Sequence, residues 1–178
     1  MRNLKIFLLL LVFGGMLFYN SNWFQSAFLS DRFYKDICYA PFDVTVKGES
    51  ISIPLKYKFK TCYKLSIAVP DKKVFHDRII GPGTLKYQFI SKGRVLAKGR
   101  TYNPDRHHFT LYRGITSMNI LAFNLPFFEA DDDLTLELEV VEPMEFLEPY
   151  TGNIFCRINS DYDAKLGKCY NDDLLIVR

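Results

Sequence analysis

The sequence predicts an all-β domain, an immunoglobulin-like antiparallel β-sandwich of about eight strands, preceded by one N-terminal hydrophobic helix. Three observations predict it. Apolar residues alternate with polar ones over several stretches, the period of a half-buried strand. Turn residues punctuate those stretches at near-regular spacing. Aromatic residues make up 16% of the 178 residues, with Phe and Tyr dominant, and large aromatics suit sheet interiors.

Residues 1–30 stand apart from the rest. Arg2 and Lys5 precede a run from Ile6 to Tyr19 that holds no charge. A basic flank before a short apolar run is the pattern of an export signal. As a helix the run covers about 21 Å, short of a bilayer core of about 30 Å. Extension to Trp23 and Phe24 makes a span over residues 6–24, with Trp23 at the interface. Small residues in a cleavage arrangement are absent after the run, which favours a retained signal anchor over a cleaved peptide. The basic flank stays on the cytoplasmic side. The expected location is the inner membrane, single pass, with residues 31–178 in the periplasm, or free in the periplasm if the signal is cleaved.

Four cysteines, Cys38, Cys62, Cys156 and Cys169, fit an oxidising compartment. Three connectivities are open. The expected one joins Cys156 to Cys169 across a C-terminal loop and Cys38 to Cys62 near the start of the domain. Their spacing does not suit zinc.

Strands are placed in order. Phe42-Asp43-Val44-Thr45-Val46 runs to a Lys47-Gly48 turn. Ile51, Ile53, Leu55, Tyr57 and Phe59 alternate with Ser52, Pro54, Lys56, Lys58 and Lys60. Pro54 has no N–H and indicates an edge or a bulge. Tyr63, Leu65, Ile67 and Val69 continue the alternation as far as Pro70. Leu85, Tyr87 and Phe89 lead to a Ser91-Lys92-Gly93 hairpin turn and a strand from Val95 to Tyr102. Residues 109–113 and 118–125 follow. Leu134, Leu136, Leu138 and Val140 alternate with Thr135, Glu137 and Glu139. Residues 154–158 and 174–177 are shorter candidates. The one helical turn expected after the anchor falls within residues 31–39.

Without Arg2 and Lys5 the chain keeps 21 basic and 20 acidic residues, so it is nearly neutral. Residues 31–104 hold 15 Lys/Arg against 6 Asp/Glu, and residues 105–178 hold 6 against 14. Either the halves neutralise each other, the Lys56–Lys60 face lying near Glu137 and Glu139, or the fold separates them into poles.

The chain shows no catalytic constellation. His107 and His108 are adjacent and would face opposite ways on a strand. Asn159-Ser160-Asp161-Tyr162-Asp163 begins like a calcium loop, but Ala164 replaces the glycine of the sharp turn and Tyr170 the bidentate glutamate. Gly81-Pro82-Gly83-Thr84 lacks the lysine of a phosphate loop. The lysines of residues 56–60 alternate with aromatics that face inward, which argues against nucleic acid. No metal, cofactor or enzymatic activity is therefore expected. What remains are two acidic, aromatic connections. One carries Phe127, Phe128, Glu129 and Asp131, and the other Glu145, Phe146, Glu148 and Tyr150. They either cap the sandwich or form a patch for a protein partner.

Phe42-Asp43-Val44, the paired stretches of residues 51–69 and Leu134-Thr135-Leu136-Glu137-Leu138 resemble small exported β-sandwich proteins of bacterial envelopes whose function is unknown. Some of these are similar to immunity proteins that neutralise periplasmic toxins delivered by type VI secretion. The resemblance implies a non-enzymatic, membrane-tethered module that binds another protein, a toxin or an envelope component. The alternative is a structural or accessory subunit of an envelope assembly.

Overall fold

The computed structural model describes residues 2–57, 59, 61–77, 80–104, 109–125, 133–166 and 175–176. Lys58, Lys60, His107, His108, Phe127, Phe128, Glu129, Asp131 and Cys169 lie outside the described residues.

The chain begins with helices α1 (Arg2–Tyr19), α2 (Asn22–Phe28) and α3 (Ser30–Phe33). In α1, apolar side chains from Leu4 to Tyr19 are exposed around the whole helix. Polar residues end it: the Ser21 hydroxyl donates to the Phe18 carbonyl at 2.6 Å and accepts from the Phe24 N–H at 3.2 Å, capping α2. The two axes bend by 67° at this break. No single described helix is long and apolar enough to cross a membrane, although Leu4–Tyr19 and Asn22–Phe28 pass that test of length and composition together.

Ten strands among the described residues form two sheets. The larger contains β1 (Cys38–Pro41), β9 (Phe155–Ser160), β3 (Cys62–Val69), β7 (Ile115–Asn124) and β10 (Leu175–Ile176) in that order, with β6 (Phe109–Tyr112) also paired to β7. The smaller runs β2 (Ser50–Pro54), β8 (Thr135–Glu142), β4 (Thr84–Ser91), β5 (Arg94–Arg100). All pairs are antiparallel except the short β10–β7 pair. A short helix, α4 (Lys73–Asp77), follows β3.

One apolar core fills the space between the sheets. Phe89 of the smaller sheet meets Phe123 of the larger at 5.0 Å between ring centroids, and Phe123 stacks on Tyr63 at 6.1 Å. Strand β8 alternates as its sequence predicts, with Leu136, Leu138 and Val140 buried and Glu137 and Glu139 exposed. The β4–β5 turn has Lys92 at φ 49° and Gly93 at φ 74°, and the β6–β7 turn has Arg113 at φ 50° and Gly114 at φ 81°. Positive φ at both central residues matches the twist of the flanking strands.

Several expectations are corrected. Residues 42–46 are not a strand. The Asp43 carboxylate accepts from the Thr45 N–H at 3.0 Å and from its hydroxyl at 2.6 Å, which closes a turn. The stretch 51–59 leaves the sheet after Pro54. Its later apolar residues find other interior partners: Tyr57 lies edge-on to Tyr63, and Phe59 packs on Phe33. The expected disulfides are not made, because Cys38 and Cys156 are both free thiols. Glu139 pairs with Lys86 of β4 at 3.4 Å, and Glu137 faces Ser52 and Gln88. Lys56 lies beyond the end of β2 and meets neither glutamate by strand pairing.

The buried tyrosines make stability sensitive to alkali. Burial pushes the Tyr63 phenol well above its ordinary value, and Tyr57 and Tyr87 shift the same way for the same reason. Unfolded tyrosines ionise near pH ~10, while the folded ones keep their protons, so the unfolded state binds fewer protons above that pH. The contribution is whole below pH ~10 and falls as pH rises beyond it. Urea unfolding at pH 8 and pH 11 should show this loss. Tyr63→Phe should reduce it, while costing about 1 kcal/mol at pH 8 through the lost hydrogen bond to the Phe59 carbonyl.

Candidate functional site

The acidic segment singled out in the sequence forms a 3-10 helix, Glu145–Tyr150, at one end of the sandwich. Its apolar members turn inward. Leu147 and the preceding Met144 are fully buried, and Phe146 and Tyr150 pack against the core. Two glycines make room for them. A Cβ on Gly81 would meet the Phe146 ring at 2.9 Å, and one on Gly83 would collide with the Met144 side chain. Glu145 and Glu148 point to solvent. Burial raises the Tyr150 phenol above its ordinary value, and the charges of Asp71 and Asp77 add to the shift. The structure thus brings Glu145, Phe146, Glu148 and Tyr150 together, but the aromatics are engaged in closing the sandwich.

A different surface is concave. A groove of about 600 Å³ lies on the outer face of the larger sheet, between the α3 end of the N-terminal segment and the β6–β7 turn. It is built by register. Lys64 on β3 faces Asn159 on β9, and Ser66 faces Arg157, which places the two cations on a diagonal of the outward face. Arg113 and Tyr112 come from the β6–β7 turn, where Arg113 sits 5.1 Å from the Tyr112 ring centre. Tyr34 and Tyr162 stack at 5.8 Å on the opposite wall. Lys165 lies 3.7 Å from the Tyr162 ring centre.

One contact fixes a side chain of the groove, and one buried polar atom in it is left unsatisfied among the described residues. The Arg157 guanidinium is held by the Asp36 carboxylate, Nε to Oδ1 2.8 Å, with both side chains mostly buried. Asn159 is 8% exposed, and its Oδ1 has no hydrogen-bond partner among the described residues. Lys35, Lys64, Arg113 and Arg157 line the groove against Asp31, so its described lining is net basic.

Among the described residues no group of three or more His, Cys, Asp or Glu is placed to hold a metal ion. The lining offers cations, phenols and an amide, which suit binding of an anionic, partly apolar surface.

The sequence pattern hid these residues. Lys64 reads as an ordinary solvent-facing residue of a half-buried strand, yet it is 9% exposed. The stretch from Asn159 fails as a calcium loop and reads as a solvated turn, yet Asn159 and Ser160 both belong to β9. A usable signal was the uncharged apolar context of residues 65–69, which marks β3 as interior and its lysine as enclosed.

No protein-family model, curated protein or solved structure matches this chain.

The Asp36–Arg157 pair should contribute measurably because it is partly sheltered from water. A double-mutant cycle of Asp36→Ala and Arg157→Met, read by urea unfolding, should give a coupling of about 1 kcal/mol.

Proposed function

We propose that this chain is a non-enzymatic, membrane-tethered module of a bacterial envelope that captures another protein through the basic groove. The observation that carries the reading is the groove itself: cations and tyrosines around a concave floor, with the Arg157 side chain already clamped. Arginine and tyrosine are the side chains most enriched among energetically dominant contacts at protein interfaces. A preset guanidinium lowers the entropic cost of engaging a carboxylate. The partner's chemistry follows: a segment with acidic side chains beside an apolar or aromatic one.

The tether is α1 continued by α2; in α1 apolar side chains face outward on every side behind the basic Arg2 and Lys5 of the sequence. In this reading the helices lie in the inner membrane and the sheets in the periplasm. The scaffold is immunoglobulin-like in the broad sense of two packed sheets between which the chain crosses repeatedly. A role as an immunity protein that neutralises a periplasmic toxin fits such a tethered binder.

The groove is preferred to the Glu145–Tyr150 cap because the cap's aromatics are occupied by packing. It is also preferred to docking by strand addition. Edge strand β2 has five residues and ends in Pro54, β1 has four and ends in Pro41, and β5 carries Arg94, Lys98 and Arg100. Short, proline-ended or charged edges resist pairing with another chain.

The test is photo-crosslinking of the full chain in its native envelope, with the reactive residue at Tyr112 or at Glu145. A discrete protein adduct at Tyr112 is expected, and Arg113→Glu should weaken capture roughly tenfold or more. An adduct only from Glu145, indifferent to Arg113→Glu, would move the interface to the acidic cap.

A further inference from the structure

Cys38 and Cys156 sit on adjacent strands at the rim of the core. In the β1–β9 ladder Cys38 faces Ile158 and Cys156 faces Ala40, so the two cysteines lie on a diagonal. Ile158 and Cys156 both belong to the core cluster, and Cys38 packs against it, so the two thiols share the inner face. The two thiols are near enough to shift each other's proton affinity in opposite directions. Access differs sharply: Cys38 is half-buried, whereas Cys156 is fully buried. Cys62 is itself disulfide-bonded, which leaves Cys38 and Cys156 as the thiols available to each other.

We propose that Cys38 and Cys156 are a redox pair that closes to a disulfide, with Cys38 as the attacking thiol and Cys156 as the resolving one. The oxidant is a disulfide, either a small molecule such as oxidised glutathione or a protein that exchanges disulfides. The Cys38 thiolate attacks one sulfur of the oxidant. A mixed disulfide forms on Cys38, and the first oxidant thiolate leaves and takes up the proton that Cys38 gave up. Cys156 then loses its proton and attacks the Cys38 sulfur. The Cys38–Cys156 bond forms, and the second oxidant thiol leaves with that proton. Two protein thiols are oxidised and one oxidant disulfide is reduced to two thiols.

The division of roles follows from burial, because an oxidant reaches only the outer thiol. Electrostatics agree. The interaction with Cys156 holds the Cys38 thiol below its ordinary value, against the opposing effects of burial and Asp36. The same interaction, with burial, pushes Cys156 well up. The geometry is close to what the bond needs. Diagonal neighbours on antiparallel strands have Cα atoms about 7–8 Å apart, and a disulfide accepts up to about 6.8 Å, so closure takes roughly 1 Å. Among the described residues strand β1 is an edge with one paired neighbour, so the shift breaks no second ladder there.

Closure would link the segment that leaves the N-terminal helices to β9 and enclose residues 38–156 in one covalent loop. A loop of that length should raise the unfolding midpoint by roughly 10 °C. The inference is independent of the partner and of the membrane location.

The test uses the full chain in detergent, reduced and then exposed to oxidised glutathione. Free thiols are trapped with N-ethylmaleimide after denaturation, and the peptides are mapped without reduction. A linked Cys38–Cys156 peptide is expected. Cys156→Ala should accumulate a single glutathione on Cys38, and Cys38→Ser should leave Cys156 unmodified. Maleimide on both Cys38 and Cys156 of the oxidised wild-type chain would overturn the pair. Equal glutathione modification of Cys156 in Cys38→Ser would overturn the assigned order. Should Cys156→Ala fail to fold, the wild-type map still decides whether the bond forms.

Discussion

Strand β3 is buried along all eight of its residues, and the rest of the domain is arranged to meet that constraint. One face supplies Tyr63, Leu65, Ile67 and Val69 to the core. The other face carries Lys64 and Ser66, which are polar and enclosed. A polar group removed from water must recover its hydrogen bonds within the protein. Ser66 does so with the Asn119 side-chain oxygen across the β3–β7 ladder at 2.7 Å. The neighbouring strands carry polar residues at matching registers, Asn119 on β7 and Arg157 on β9 opposite Ser66, and Asn159 on β9 opposite Lys64. The polar outer face of the larger sheet, and with it the groove, is a consequence of placing this strand in the middle.

The N-terminal segment is fastened to the same region. The Ser160 hydroxyl donates to the Phe33 carbonyl at 2.6 Å, Arg157 holds Asp36, and the Ile37 N–H donates to the Ile158 carbonyl at 2.7 Å. Three residues of β9, Arg157, Ile158 and Ser160, thus receive the chain from the end of α3 to the start of β1. Phe33 is completed by Cys62, Ala164 and Phe59, a small apolar cluster separate from the main core. The helices are consequently joined to the sheets by a continuous set of contacts, and the groove wall that contains Tyr34 is positioned by them.

Much of the fold was legible because its strands obey simple periodicity. Strand β8 announces itself by Leu136, Leu138 and Val140, and the Lys92-Gly93 turn by its glycine. Failures occurred where alternation had another cause. Tyr57 and Phe59 continue the pattern of Ile51 and Ile53 although the chain has left the sheet, because an irregular segment also buries every second residue when it crosses an apolar rim. Residues 42–46 look like a strand, but the Asp43 side chain supplies the turn's hydrogen bonds locally. The groove was not legible at all. It depends on which strand lies beside β3, and the pairing of Lys64 with Asn159 joins residues far apart in the chain. The acidic cap was legible as a segment, but the inward turn of Phe146 depends on Gly81, a residue that sequence spacing does not connect to it.

The way the N-terminal segment is fastened also sets a path for mechanical load. A pull on the helices reaches the sheets through Phe33, Asp36 and Ile37, and then through β1 lying against β9. Each of these attachments ends on β9, the immediate neighbour of the buried strand. Tension is therefore shared among several bonds before it reaches the core, and β1 acts as a splice between the N-terminal helices and the sheets. Peeling that splice would expose the Cys156 side of β9 while leaving the β3–β7 ladder whole, so the first yielding step is local and reversible in its geometry.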